Sequence, residues 1–321
     1  MYLPQINNNI GKTQREVLAM RGINWSDNLK DGDLRDSRNI SARRYPYLTT
    51  RRGRVKQKKE GDTPYTGGAA LTAWGKLVAV EGTNLLFDGQ VVGQVTAGAK
   101  QFAPVNTKMV IWPDKVYLDL NTKTVKPLGA AVTGSGAAFT TSTMKVTGWG
   151  DLTELFKAGD GVTISGCTTQ TANNKDIIIK AVTADTITVA DNTFTEATEA
   201  STEIKIQRRI PDMDFICESE NRLWGCANDT QTIYASAMGD PTHFYVYEGV
   251  STDSYALAVG SEGEFTGCCK LSSSVLFWKE TKLHKMLGSY PAEYALYTYD
   301  IEGLRAGCHK SLQILNETLF Y

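Results

Sequence analysis

Three histidines, His243, His284 and His309, are the first residues to test for chemistry, because imidazole exchanges protons near neutral pH. His243 follows Asp240 and Pro241 in a turn, His284 lies in a strand-like run, and His309 stands beside Cys308. None has the neighbours of an HExxH, a His-x-His or a GxSxG site. Cys308 and His309, with Cys269, can be cast as a thiol nucleophile and its base, but adjacent residues on a strand point to opposite faces. Structural roles are therefore expected for all three imidazoles. Carboxylates pair at Asp212 and Asp214 (PDMD) and at Glu262 and Glu264 (GSEGE). Such i, i+2 pairs share a strand face, as a glycosidase would require, yet PDMD equally suits a turn with solvated acids, and that is the expectation. The Asp-Gly pairs at 31–32 and 88–89 read as hairpin turns, since the calcium-loop pattern is missing. GSGAA (134–138) lacks the Lys-Ser/Thr of a phosphate loop. The sequence therefore assigns no catalytic, cofactor-binding or metal-binding residue, and the chain is read as a non-enzyme without a cofactor. The six cysteines form no CxxC pair and are expected to be buried free thiols from a reducing compartment.

One charge signal stands out. From 43 to 59, RRYPYLTTRRGRVKQKK carries Arg43, Arg44, Arg51, Arg52, Arg54, Lys56, Lys58 and Lys59 and no acid. Three readings stay open: an arm docking on an acidic surface of an adjacent protein, a solvated loop, or direct contact with nucleic acid phosphates. The chain as a whole has a formal net charge of −1, so no global field draws it to nucleic acid or to a membrane surface. No apolar run approaches the ~18 residues of a membrane span, and MYLPQINNNIGKTQREV has no apolar core behind a basic head.

The elements that carry these residues fall into segments. Residues 1–66 are poor in apolar runs and read as an extended arm. Residues 67–129 and 210–321 alternate short apolar, aromatic and β-branched runs with Gly, Asn, Asp and Pro, the pattern of short strands joined by turns. Residues 130–209 are rich in Thr, Ala, Gly and Asp and open on a small-residue linker, GAAVTGSGAAFTTST. Within them, 159–166, 177–182, 186–190 and 203–208 are strand-like, and 151–157 is a short helix with Asp151 as its cap. This is the expected form of a small β-barrel or sandwich inserted in a loop of its host.

Self-similarity sets the architecture. KLVAV (76–80) recurs 32 positions later as KMVIW (108–112), each followed by a turn, a strand ending in Asp88 or Asp119, another turn and a third run. The pattern resumes at NRLWGC (221–226) and again at SVLFW (274–278), and Gly267-Cys268 echoes Gly307-Cys308. Repeats of this length, each a small meander, predict a β-propeller of four blades and the start of a fifth, against the alternative of paired β-sandwiches. Leu319-Phe320-Tyr321 stands where Leu276-Phe277-Trp278 stands one unit earlier. The expectation is therefore a chain stopping mid-blade, completed by further sequence or by a partner chain.

These residues also resemble a family. Gly22-Ile23-Asn24, Asp31-Gly32, Asn39-Ile40-Ser41, Tyr45-Pro46 and Arg51-Arg52-Gly53 are similar to the opening pattern of β-propeller tail hub, nozzle or stabilisation proteins of tailed bacteriophages and prophages. IPDMDFICESENRLWGC, IYASAMGDPTHF and FWKETKLHKMLGSYPAEY resemble blades of that family. The resemblance implies a structural virion protein of a tail or head–tail connector, assembled in the bacterial host cytoplasm. It would form a homo-oligomeric ring against neighbouring tail or connector proteins, with passing contact with DNA and no membrane. The alternative is a carbohydrate-binding or glycan-degrading tail protein, with Trp149, Tyr245, Tyr247 and Tyr290 as sugar-stacking candidates.

Overall fold

A computed structural model describes residues 21–24, 26–35, 40–44, 47–50, 64–200, 202–315 and 317–321. The chain divides into two compact units, Met1–Asp62 and Thr63–Tyr321. In the first, Gly22–Ile23 pairs in parallel with Asp33–Leu34, and Ile40–Arg44 forms an antiparallel hairpin with Tyr47–Thr50. The Asp31-Gly32 turn is not the expected hairpin turn: the two strands run parallel, and the turn leads into the second of them, with Gly32 at φ 93° and the Asp33 carboxylate accepting from the Lys30 amide and the Asn24 side chain.

The second unit is all β. Blade 1 is the antiparallel meander Gly68–Leu71, Leu77–Glu81, Asn84–Phe87 and Gln90–Gln94. Blade 2 is Gln101–Val105, Lys108–Trp112, Val116–Asp119 and Thr124–Pro127. Blade 3 is Phe215–Ser219, Arg222–Ala227, Thr232–Ala235 and Tyr255–Ala258, and blade 4 is Phe265–Leu271, Ser274–Lys279, Lys282–Leu287 and Ala295–Asp300. Local turn chemistry fixes the register. Asp88 (φ 51°) and Gly89 (φ 84°) both take the left-handed conformation that a two-residue hairpin needs. Each blade has one strand more than the three-run unit read from the sequence. The extra strand is the first, where GAAL and QFAPV are too short, small or Pro-broken to show a period of two.

The sheets stack face to face, in propeller fashion, through a succession of apolar layers. Val78, Val80, Leu85, Met109, Ile111 and Leu118 fill the layer between blades 1 and 2. Val110, Trp112, Met213 and Leu223 fill the next, and Trp224, Ile233, Phe265 and Phe277 the third. Full burial of each such side chain contributes about 1.5–3 kcal/mol, so no single sheet stands without its neighbours. Burial also varies across each sheet. The second strands Arg222–Ala227 and Ser274–Lys279 are buried at every residue, while the fourth strands Gln90–Gln94 and Ala295–Asp300 have no buried residue. Beyond blade 4, a hairpin of Gln313–Leu315 and Thr318–Phe320 brings Leu312 and Leu319 onto Leu276 and Trp278. The Tyr321 ring lies 4.4 Å from that of Trp278. The glycines of the Gly-Cys echo are not equivalent: Gly267 is within a strand, whereas Gly307 is in a turn at φ 80°.

Between blades 2 and 3 the chain builds a module with its own core. Its sheets are ordered, by strand, Ala131–Gly134, Ile204–Arg208, Gly161–Ser165, Asp176–Ile178 and Ala181–Val182, Thr186–Thr188, Thr143–Val146, Ala137–Phe139, Ala197–Glu199. They enclose Phe139, Met144, Phe156, Val162, Ile164, Ile187 and Ile206, an arrangement of two layers and thus the sandwich of the two expected forms. Two local expectations are corrected. The small-residue stretch at 129–143 is not a linker: it supplies two strands, with Ala137 and Phe139 facing the core and Ala138 outward. The short helix is a single 3-10 turn, Leu152–Glu154, capped as expected by Asp151, because only Leu152 of the three residues finds the core. Among the described residues no helix is long and apolar enough to cross a membrane.

Candidate functional site

Blade 3 carries a long loop, residues 236–254, between its third and fourth strands, and this loop receives the module. Arg222, fully buried, shapes it by donating its guanidinium to the carbonyls of Ser236 (2.9 Å), Ser251 and Asp253. Burial lowers the Arg222 pKa, and the ring of carbonyl dipoles is what accommodates the charge. Asp253 accepts from the amides of Gly249 (2.6 Å) and Val250 (3.2 Å). So braced, the loop presents Asp240, Thr242, His243 and Tyr245 to the module.

From the module come Asp160, just before the strand Gly161–Ser165, and Arg208, the last residue of Ile204–Arg208. Asp160 accepts from the Lys157 amide at 2.9 Å and from the Arg208 Nε at 3.1 Å. Its other oxygen lies 2.9 Å from His243 Nε2. On the far side of the ring, Asp240 Oδ2 is 3.0 Å from His243 Nδ1, while Asp240 Oδ1 accepts from Thr242 Oγ1 (2.8 Å) and Lys108 Nζ (3.1 Å). His243 is 7% exposed and Asp160 2%. Burial alone would depress the His243 pKa, but Asp160 and Asp240 outweigh it and raise the value above 6.5. Burial would likewise raise Asp240, yet its hydrogen bond to His243 and the His243 charge hold it far below the usual carboxylate range.

Clefts flank this junction. One, about 380 Å³, is lined by Lys108, Tyr117, Thr153, Arg208, Asp240 and His243. A second, about 580 Å³, is lined by Lys115, Asp212, Arg209, Tyr234 and Tyr245. There the Arg209 guanidinium lies 4.4 Å from the Tyr245 ring centre, and Tyr245 packs on Gly161, where an added Cβ would come within 2.8 Å of the ring. Burial pushes the Tyr245 hydroxyl up to about 12.

The residues singled out from sequence are placed as follows. His284 is fully buried, 2.8 Å from the hydroxyls of both Ser261 and Thr298. Burial, then Lys279 and Lys282, lower its pKa to about 4, so it is neutral at pH 7. His309 packs its ring 5.2 Å from that of Phe215. Cys269 packs in the apolar layer beside Leu276 and Trp278, and burial raises it to about 11, the reverse of an activated thiol. Cys308 is exposed, while Cys217, Cys226 and Cys268 lie in or against the layer between blades 3 and 4. Asp212 pairs with Lys115, and Asp214 accepts from the Asn228 amide at 2.7 Å, so PDMD is a braced irregular segment leading into blade 3 rather than the expected turn. Glu262 and Glu264 are exposed. Among the described residues no cluster of His, Cys, Asp and Glu has metal-holding geometry. Of the basic stretch, Arg43 and Arg44 fall in the strand Ile40–Arg44; Arg51, Arg52, Arg54, Lys56, Lys58 and Lys59 lie outside the described residues. Of the four sugar-stacking candidates, Trp149 packs on the module core with its Nε1 donating to the Ser135 carbonyl, and Tyr245 is half-buried; Tyr247 and Tyr290 are exposed.

Asp160, Arg208, Asp240 and Lys108 were not singled out from sequence. One signal was present: Arg208 continues the buried parity of Ile204 and Ile206, so a charge sits where an apolar residue is due.

No family model matches the chain, and no curated protein does either. Among solved structures it is similar to the phage phi92 endosialidase at 11% identity, with a TM-score of 0.24, over 74% of this chain and 46% of that one. The chain thus spans about half the length of that protein, and a superposition this loose decides neither fold nor chemistry.

Proposed function

We propose that this chain is a non-enzymatic structural component of a phage or prophage virion, in the tail or head–tail connector, assembling into a ring through protein–protein contacts. Surface chemistry carries the reading. Leu71 (67% exposed), Trp74 (60%), Leu315 (64%) and Phe320 (54%) stand with Val91, Ile314, Tyr297 and Tyr299 in solvent. Among them Tyr297 and Tyr299 stand at i, i+2 on one face of the blade 4 edge strand, the kind of grouped apolar surface that assembly would cover. The sequence resemblance to tail hub, nozzle and stabilisation proteins points the same way, and the blade stack supplies the stiffness such a role demands.

The test is to purify the chain alone and with its neighbouring virion proteins and measure particle mass. The proposal expects a large closed assembly with the partners present. A stable monomer that cleaves a polysaccharide would overturn it. The basic stretch enters as an assembly arm: reversing the charge of Arg51, Arg52 and Arg54 should abolish incorporation into particles without changing the melting temperature, and normal particles would refute the arm.

A further inference from the structure

We propose that the contact between the inserted module and blade 3 is a proton-operated clasp, closed while His243 carries protons on both ring nitrogens and loosened when one is lost. The geometry supplies the argument. A carboxylate oxygen lies within ion-pair distance of each nitrogen, Asp160 Oδ1 2.9 Å from Nε2 and Asp240 Oδ2 3.0 Å from Nδ1; Nε2 and Asp160 Oδ1 are buried with no aligned hydrogen-bond partner, so opposite charge is what holds them. A neutral imidazole donates one hydrogen and offers one lone pair, so it satisfies one carboxylate and turns its lone pair on the other. Only the imidazolium answers both. The two carboxylates come from different parts of the Thr63–Tyr321 unit, Asp160 from the module and Asp240 from the blade 3 loop, so the shared proton is also a link between them.

The other charged and polar groups around the ring do not replace that proton. Arg208 and the Lys157 amide are spent on Asp160 Oδ2 and come from the module, the same side as Asp160. Lys108 and Thr242 hold Asp240 Oδ1, and both belong to the blades; Tyr117 lies under the Lys108 ammonium at 5.3 Å. Each body thus neutralises its own acid once, and His243 bridges what remains. Thr242 Oγ1, 2.9 Å from Nδ1, rotates to suit either state. The surrounding apolar contacts are slight: Tyr245 on Gly161 and Val246 on Gly159, both positions where the module offers backbone and no side chain. The module's Arg209 guanidinium also lies 4.4 Å from the Tyr245 ring centre, so loss of one proton removes the buried ionic link and leaves contacts that do not depend on it.

The sign follows from the direction of the shift. A histidine whose folded value exceeds its ordinary 6.5 stabilises the closed form fully below that value, and the contribution fades as pH rises through the folded value. The module is held below the folded value of His243 and freed as pH rises through it.

The test is an NMR titration of the His243 ring in the full chain, with residual dipolar couplings reporting module orientation relative to the blades at pH 5.5 and pH 9. The expected result is an imidazole titrating above 6.5, one module orientation at low pH and averaged couplings at high pH. His243→Gln, which keeps polarity but cannot carry the charge, should show averaged couplings at both pH values. Asp240→Asn should move the His243 titration down by a unit or more while the blades keep their fold. Couplings unchanged across the pH range in the wild type, or a His243 that titrates below 6.5, would overturn the clasp. So would a His243→Gln variant, folded by its blade resonances, that holds the wild-type orientation.

Discussion

The layers between blades and the junction between module and blade 3 are built on opposite principles. Between blades 1 and 2, Val78, Val80, Met109 and Ile111 meet in an apolar cluster, with the buried Lys100–Asp114 ion pair outside it. At the junction, Lys108, Asp160, Arg208 and the Asp240–His243 loop meet from four distant points of the chain, and charge does the joining. The first design is cooperative, held chiefly by apolar contact, and hard to separate. The second is directional: it fixes one orientation, because ion pairs and hydrogen bonds have geometry that apolar contact lacks, and it can be undone by a proton. Rigid stacking thus serves the platform and adjustable docking serves the part inserted into it.

The comparison breaks first where it is strongest. Phe277→Ala in the layer between blades 3 and 4 should cost about 3–5 kcal/mol in a denaturant titration, with no dependence on pH between 6 and 9. Loss of that size only at one pH would show that the layer is not apolar in character. At the junction, Arg208→Met should cost about 3 kcal/mol, because Asp160 stays buried with one cation gone. Adding Asp160→Asn to the same chain should recover part of it, and strict additivity of the two would contradict a charge-coupled site. Gly225→Ala tests closeness in the layers. The new methyl would stand 2.4 Å from Met213 Sδ and 2.7 Å from the Phe215 carbonyl, so about 1–3 kcal/mol should be lost. Smallest is the His284 effect. Its folded value of about 4 lies below the unfolded 6.5, so the unfolded chain binds the extra proton between them, and stability should fall by about 2 kcal/mol as pH drops from 6.5 to 4. His284→Leu should flatten that part of the profile; a slope unchanged in the variant would assign it to another group.

The same contrast explains what could be read from the sequence. The second, third and fourth strands of blades 1 and 2 stood out because the 32-residue recurrence of KLVAV and KMVIW is local and repeats. The first strands did not, since Gly68–Leu71 has almost no side chain to pattern and Gln101–Val105 is interrupted by Pro104. The stretch at 129–143 read as a linker because small residues at buried positions such as Ala137 resemble small residues in loops until the partner strand Ala197–Glu199 is known. The junction was nearly illegible. His243 was noticed for its type, but its two carboxylates are 83 and 3 positions away, and nothing local marks Asp160 as its partner. Arg208 alone broke a visible rule, as a charge on the buried side of a strand.

Underlying all of this is the claim that each sheet is stabilised by its neighbours, with order decreasing from the second strand outward. Native-state hydrogen exchange on the isolated chain measures it directly. Amides of Arg222–Ala227 and Ser274–Lys279 should exchange last and together, near the global unfolding free energy, and those of Gln90–Gln94 and Ala295–Asp300 first. Equal protection across the four strands of a blade, or slower exchange in the fourth strands than in the second, would contradict the stacked-sheet account.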